Sequence, residues 1–286
     1  MASSLAGMLA VFDVERGDGH RFRGTSDAGE RLVVDGSQVL AQALVAAAKV
    51  FPDKVVRSAH AVFTKSIAVD QPLLFDVEVV HAGRLLATAI VTMRQGDRRC
   101  VTTTVLLDQP QPDVVRHAPA PPSSAGLPRD AIEQAMPMAG RALRLVDVVD
   151  PNDPDEVGPP LLHAWLRYDE VPARDELAKA LLAHFTGHLG ISTTLRAHAG
   201  VGTAQAHHTL STAPITIAIS FHEPVRWPDG SWLLYDHESV QVGAGMSHVR
   251  GRIFTEAGAL LASFTQDAMV RRFTDAEQAI AEAARL

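Results

Sequence analysis

The chain matches itself. Pro72-Leu73-Leu74-Phe75-Asp76-Val77-Glu78 and Trp232-Leu233-Leu234-Tyr235-Asp236-His237-Glu238 align at an offset of 232 − 72 = 160 residues in a chain of 286. Each copy is followed by a Gly-containing turn, a strand, a second polar turn (Gln95-Gly96-Asp97, then Glu256-Ala257-Gly258) and a final strand. A period of that size places two copies of one structural unit in tandem.

What precedes each copy is helical. DGSQVLAQALVAAAKV, from Asp35 to Val50, offers Ser37 as an N-cap and is apolar on nearly every side, the pattern of a helix wrapped by other structure. Short runs of Val, Ile, Thr and Phe follow, broken at Asp70-Gln71-Pro72, His81-Ala82-Gly83 and Gln95-Gly96-Asp97, as antiparallel strands are. In the second half, Leu177, Leu181, Phe185 and Leu189 predict one long helix from about Arg174 to His198, with strands from Ala213 to Arg271. The stretch 109–130 is dense in Pro, Ser and Ala, which leaves it without regular elements and makes it a linker. The expected organisation is a unit over 1–108, the linker 109–130, and a unit over 131–286 ending in a short helix that opens with the capping box Thr274-x-x-Glu277. The fold class is α+β: each unit an antiparallel sheet packed on one long helix, the two sheets joined edge to edge.

Charge and cysteine content narrow the function classes. A formal net charge of −7 argues against a nucleic-acid partner, whose phosphates need clustered Lys and Arg. The single cysteine, Cys100, lies in an alternating strand-like run and has no partner in the chain, which suits a reducing compartment. Met1 to Val11 lacks a basic region, and no apolar run approaches membrane-spanning length, so the expectation is a cytoplasmic protein without a membrane span.

Several motifs, in order, resemble the double-hotdog acyl-CoA thioesterase II family. Val34-Asp35-Gly36-Ser37-Gln38-Val39-Leu40-Ala41-Gln42-Ala43-Leu44 is similar to that family's Gly-Gly-Gln and the small apolar helix ending Gln-Ala-Leu. Arg57 to Phe63, Ser220 to Pro224, Trp232 to Tyr235 and, above all, Val249 to Asp267 resemble its strands, and the likeness spans about Arg23 to Arg271. The resemblance implies two hotdogs, each sheet wrapping a central helix, in one continuous curved sheet. It also implies hydrolysis of fatty acyl-CoA to free fatty acid and CoA by a positioned water, with no cofactor and no metal. Acyl-CoA is then the substrate, and association through hotdog edges makes a homo-oligomer the expected state.

The family's site is an Asp, a Thr and a Gln in the second hotdog. A carboxylate takes a proton from the attacking water, which Thr and Gln position. Transferred one at a time, the Gln falls on Gln266, the Thr on Pro214 and the Asp on Gly187. Pro214 has no hydroxyl and Gly187 no side chain, so Thr212 or Thr216 is left to supply the hydroxyl and His188, beside the vacant Asp position, to supply the base. Against that stands the reading of His184 and His188 as ordinary helix histidines facing solvent or a carbonyl. Asp35 stands where the family has an apolar residue and reads either as a second-site carboxylate or as a helix-start residue. The alternative function is an acyl-CoA-binding or regulatory homologue lacking the Asp and Thr, and a third is a relative with altered acyl-thioester chemistry. No Gly-x-Ser-x-Gly elbow and no hydratase Gly-Asp-x-Asn-Pro stretch is present.

Overall fold

The computed structural model of the chain describes residues 4–27, 33–135, 138–206, 208–222 and 225–273. The first half runs α1 (Leu5–Phe12), β1 (Glu15–Arg16), β2 (Arg21–Gly24), α2 (Gly36–Val50), β3 (Val55–Phe63), β4 (Leu73–Ala82), β5 (Leu86–Gln95) and β6 (Arg98–Asp108). The second half runs β7 (Ile132–Gln134), β8 (Arg141–Leu145), β9 (Leu161–Tyr168), α3 (Asp175–Phe185), α4 (Gly190–Leu195), β10 (Leu210–Phe221), β11 (Trp232–Gly243), β12 (Met246–Thr255) and β13 (Leu260–Arg272).

All the strands belong to one antiparallel sheet in the order β1-β2-β4-β5-β6-β3-β10-β13-β12-β11-β9-β8-β7. The order is nearly symmetric about its centre, with six strands on one side and seven on the other. β3 meets β10 at the centre, with Val62 opposite Thr216 and Ser58 opposite Ser220. β6, β5, β4 and β2 on one side then answer β13, β12, β11 and β9 on the other. The duplication extends to irregularities: the register shifts between Val79 and His81 in β4 and between Ser239 and Gln241 in β11, again 160 residues apart. The two sheets join edge to edge into one.

α2 is the hub of the core. Every residue from Ser37 to Ala47 is buried, and the helix packs on α3, β3, β5 and β6. Five alanines on so enclosed a helix let sheet and helix approach closely, while Leu40 and Leu44 are each fully buried, worth roughly 1.5–3 kcal/mol apiece. The helix opens differently from the sequence reading. Asp35, not Ser37, is the N-cap, its carboxylate accepting from the Ser37 N–H at 2.8 Å.

Three other readings need correction. The helix expected from Arg174 to His198 is two helices, α3 and α4, with a turn over 186–189. The linker has local order: one-turn 3-10 helices at Ser123–Ala125 and Pro128–Asp130, held to the second half by Trp165 Nε1 donating to the Ala125 carbonyl at 3.1 Å. Short strands, β1 and β2 in one half and β7 to β9 in the other, precede the long helices where none was read. Cys100 is buried in β6, as its alternating run suggested, whereas the helix expected from Thr274 lies outside the described residues. Among the described residues, no helix is long and apolar enough to cross a membrane.

Candidate functional site

The turn that ends α3 organises the site, and its terminal carbonyls are all engaged, as a buried helix end requires. Tyr168 of β9 donates to Leu181 O at 3.4 Å, and Tyr235 of β11 to Leu182 O at 3.2 Å. The Thr186 hydroxyl donates to Ala183 O at 2.7 Å. His188 serves the last two, its backbone N–H on Phe185 O at 3.2 Å and its ring Nδ1 on His184 O at 3.0 Å. Burial pushes the Tyr168 phenol up to about 12 and Tyr235 well up too, so both remain donors. With Nδ1 against a carbonyl oxygen, that ring nitrogen of His188 carries a proton.

The ring of His188 packs edge-on to His184, with centroids 4.6 Å apart, and stacks on Phe185. The imidazoles of His184 and His188 meet the Asp35 carboxylate, the nitrogen and oxygen atoms of the three lying within 4.8 Å of one another. Burial works to raise the Asp35 pKa. The nearby His188 and His184, with the Ser37 bonds, outweigh it and hold the group far below the usual carboxylate range. A small cavity of about 50 Å³ opens here, lined by Asp35, Gln38, Arg141, His184 and His188 among others. Sequence reading named Asp35 and His188 separately, and the fold brings them together across the α2–α3 contact.

Gly187 sits at the same junction. A side chain there would start 2.8 Å from Ser37 Cβ and 2.9 Å from Ser37 Oγ, so Ser37 occupies the space a residue at 187 would need. Ser37 Oγ in turn donates to Asp35 Oδ1 at 2.7 Å. Three departures from the family pattern, Gly187 for Asp, Ser37 for Gly and Asp35 for an apolar residue, are thus neighbours in space.

Gln266 lies on the core face of β13, opposite Ile217 of β10. It is fully buried, and neither atom of its amide bonds to protein among the described residues. The amide lies against Gly190, the first residue of α4, where an added Cβ would fall 1.8 Å from Oε1. Gly190 is a site residue the sequence reading missed, although a second glycine three positions after Gly187 was its visible signal. Gln266 is not among the residues lining the Asp35 cavity. Both border the Gly187 position: Ser37, which bonds Asp35, and Ile217, which pairs with Gln266, approach the place of a Gly187 Cβ.

The hydroxyl candidates separate. Pro214 pairs with buried Ala268, on the Gln266 face of the sheet, and the bulge between Pro214 and Thr216 reverses the alternation. Thr216 therefore points to the other face, where it donates to Asp267 Oδ2 at 2.7 Å beside His248. It does not join Gln266. Thr212, two residues before Pro214, is buried with its Oγ1 unbonded to protein among the described residues. As a cation site the Asp35–His184–His188 group has the right donors, but the Arg141 guanidinium lines the same cavity and opposes a second positive charge.

Comparison with known proteins agrees on the family. Residues 26–107 match the acyl-CoA thioesterase N-terminal domain and residues 113–270 the acyl-CoA thioesterase C-terminal domain. The chain is 28% identical to acyl-CoA thioesterase 2 of Haemophilus influenzae over 95% of this chain and 99% of that one. It is 27% identical to acyl-coenzyme A thioesterase 8 of Mus musculus, over 92% and 88% of the two. Among solved structures, the tesB protein of Mycobacterium avium subs paratuberculosis superposes with a TM-score of 0.76 at 24% identity, covering 93% of this chain and 99% of that one. A hot dog fold protein from Alicyclobacillus acidocaldarius superposes at 0.74 and 18% identity, over 93% and 98%.

Proposed function

Because the chain belongs to the acyl-CoA thioesterase family, we propose that it hydrolyses fatty acyl-CoA to a free fatty acid and CoA by attack of a positioned water. The observation that carries this reading is the Gln266 amide, which the family pattern retains and which is fully buried with both its donor and its acceptor left available. A buried amide without a partner is costly, by about 1–3 kcal/mol, and is kept where a ligand uses it.

The role of each group follows from its chemistry. Gln266 orients the water or the thioester carbonyl. Asp35, tied to Ser37 Oγ and facing His184 and His188, supplies the negative charge that an Asp at 187 supplies in the family pattern. The attacking water forms a C–O bond as its proton passes to the Asp35–His188 pair, and the C–S bond then breaks to release the CoA thiolate. A thiol with a pKa near 8.5 leaves readily, so the demanding step is water attack, the one that placement and a base assist. Thr212, two residues before Pro214 on the same face of β10, is a buried hydroxyl. Homo-oligomerisation belongs to the same proposal: Val80 and Val240, equivalent under the 160-residue repeat, are both exposed apolar strand residues. Sedimentation equilibrium measures that mass directly.

Thiol release from a panel of acyl-CoA chain lengths tests the activity, with Gln266→Ala as the paired variant. Hydrolysis by the parent and its loss in the variant are expected. Binding of the panel without hydrolysis by the parent would reject the proposal, and equal turnover in the variant would remove Gln266 from it.

A further inference from the structure

On the opposite face of the second sheet, away from Gln266, three residues are arranged as a nucleophile, a base and an orienting carboxylate. Ser124 Oγ lies 2.8 Å from His163 Nε2, and His163 Nδ1 lies 3.2 Å from Asp236 Oδ1. The Nδ1 contact is bent rather than aligned, as such contacts often are without a bound substrate. The other oxygen of Asp236 accepts from Arg252 Nε at 3.0 Å and Nη2 at 2.6 Å, which ties that oxygen to the guanidinium. His163 and Asp236 are both buried, whereas Ser124 is exposed.

The three come from distant parts of the chain. His163 is on β9 and Asp236 on β11, paired directly in the sheet register. Ser124 is delivered by the one-turn helix Ser123–Ala125 of the connecting segment, which is anchored at two points just after it. Trp165 holds the Ala125 carbonyl, and Arg144 Nη1 donates to the Pro128 carbonyl at 3.0 Å. An exposed serine on a loose linker has no fixed partner. This one is held within hydrogen-bonding distance of an imidazole whose far nitrogen faces a carboxylate, the arrangement that lets a neutral hydroxyl act as a nucleophile.

We propose that Ser124 is an acylation site, a hydroxyl activated by His163 that accepts an acyl group from an activated donor such as an aryl ester or a thioester. Ser124 Oγ bonds to the donor carbonyl carbon while its proton passes to His163 Nε2. The bond from that carbon to the leaving group breaks, and the departing phenolate or thiolate takes its electron pair, with the proton returned from His163 to it or to water. The product is a single ester on Ser124. The inference does not rest on the Gln266 site, which lies on the other face.

The test uses p-nitrophenyl acetate on the full chain, reading p-nitrophenolate release and the acetylated residue by peptide mass mapping. Ser124 is expected to acetylate about 100-fold faster than its neighbour Ser123, in line with general-base assistance. The mark should vanish in Ser124→Ala and His163→Gln and be slowed in Asp236→Asn, with acyl-CoA turnover in Ser124→Ala at the parent level. Acetylation of Ser124 no faster than that of Ser123, or a parental rate in a folded His163→Gln, overturns the proposal. Should His163→Gln fail to fold, the comparison of Ser124 with Ser123 within the parent decides alone. Loss of acyl-CoA turnover in the Gln266 variant leaves this result untouched, so the two readings fail separately.

Discussion

Adding one methyl group at Gly187 tests whether Ser37 has taken the space of the missing side chain. Gly187 does not have a positive φ, so Gly187→Ala alone would ordinarily stabilise the protein by roughly 0.4–1 kcal/mol through the unfolded chain. The new Cβ would lie 2.8 Å from Ser37 Cβ and 2.9 Å from Ser37 Oγ. Relaxed contacts sit near 3.5–4.0 Å, so one partner must retreat by about 0.6–1 Å. Ser37 is fully buried on a helix that is itself enclosed, so overpacking costs about 1–3 kcal/mol and the net effect is destabilising by up to roughly 2.5 kcal/mol. Ser37→Gly removes both offending atoms, and in that background Gly187→Ala should turn neutral or stabilising. The assay is urea unfolding of the four proteins of the cycle, followed by circular dichroism and tryptophan fluorescence with coincident transitions. A coupling of about 1–3 kcal/mol is expected. Additivity within about 0.5 kcal/mol, or a Gly187→Ala that stabilises the parent, would refute the steric exchange between positions 37 and 187.

Two further perturbations follow from the same geometry. Gly190→Ala would set a Cβ 1.8 Å from Gln266 Oε1 in a fully buried setting, so acyl-CoA turnover should fall as far as in Gln266→Ala, with circular dichroism showing the fold intact. His237 is wholly buried, and burial pushes its pKa down to about 4 from 6.5. The unfolded chain therefore binds a proton that the folded one refuses, and stability falls as pH drops from about 6.5 to 4, by about 3 kcal/mol at 1.36 kcal/mol per unit. Unfolding titrations across that window should show this slope in the parent and its removal in His237→Leu.

The duplication was legible because β4 and β11 repeat side chains, a local signal, and the shared bulge positions show how closely the copies agree. The break between α3 and α4 was harder to see, because Leu177, Leu181, Phe185 and Leu189 keep helical spacing straight through it. Carbonyls near the end of α3 are met by hydroxyls of Tyr168 and Tyr235, on two different strands, and such tertiary contacts leave no mark in local spacing. Gln266 was found by its motif, but its apposition to Gly190 is a contact between β13 and α4 that no spacing announces. The side on which a hydroxyl points was equally hidden. Thr216 and Thr212 differ in face because of a bulge between them, and a bulge is set by the pairing partner rather than by the residues it displaces. The meeting of Asp35 with His184 and His188 depends on α2 packing against α3, so a carboxylate read as a helix-start residue proved to be both the cap and part of the site.

The central claim is that Asp35 carries the charge that the α3 turn has lost, and Asp35→Asn isolates it. Asparagine caps a helix about as well as aspartate, so the start of α2 should survive while the proton acceptor does not. The decisive measurement is kcat for acyl-CoA hydrolysis by this variant beside the parent, with thermal unfolding recorded on both. A fall in kcat of about 100-fold or more at nearly unchanged stability is expected, the scale of a lost general base. Turnover within about threefold of the parent would contradict the relocation of the base to Asp35.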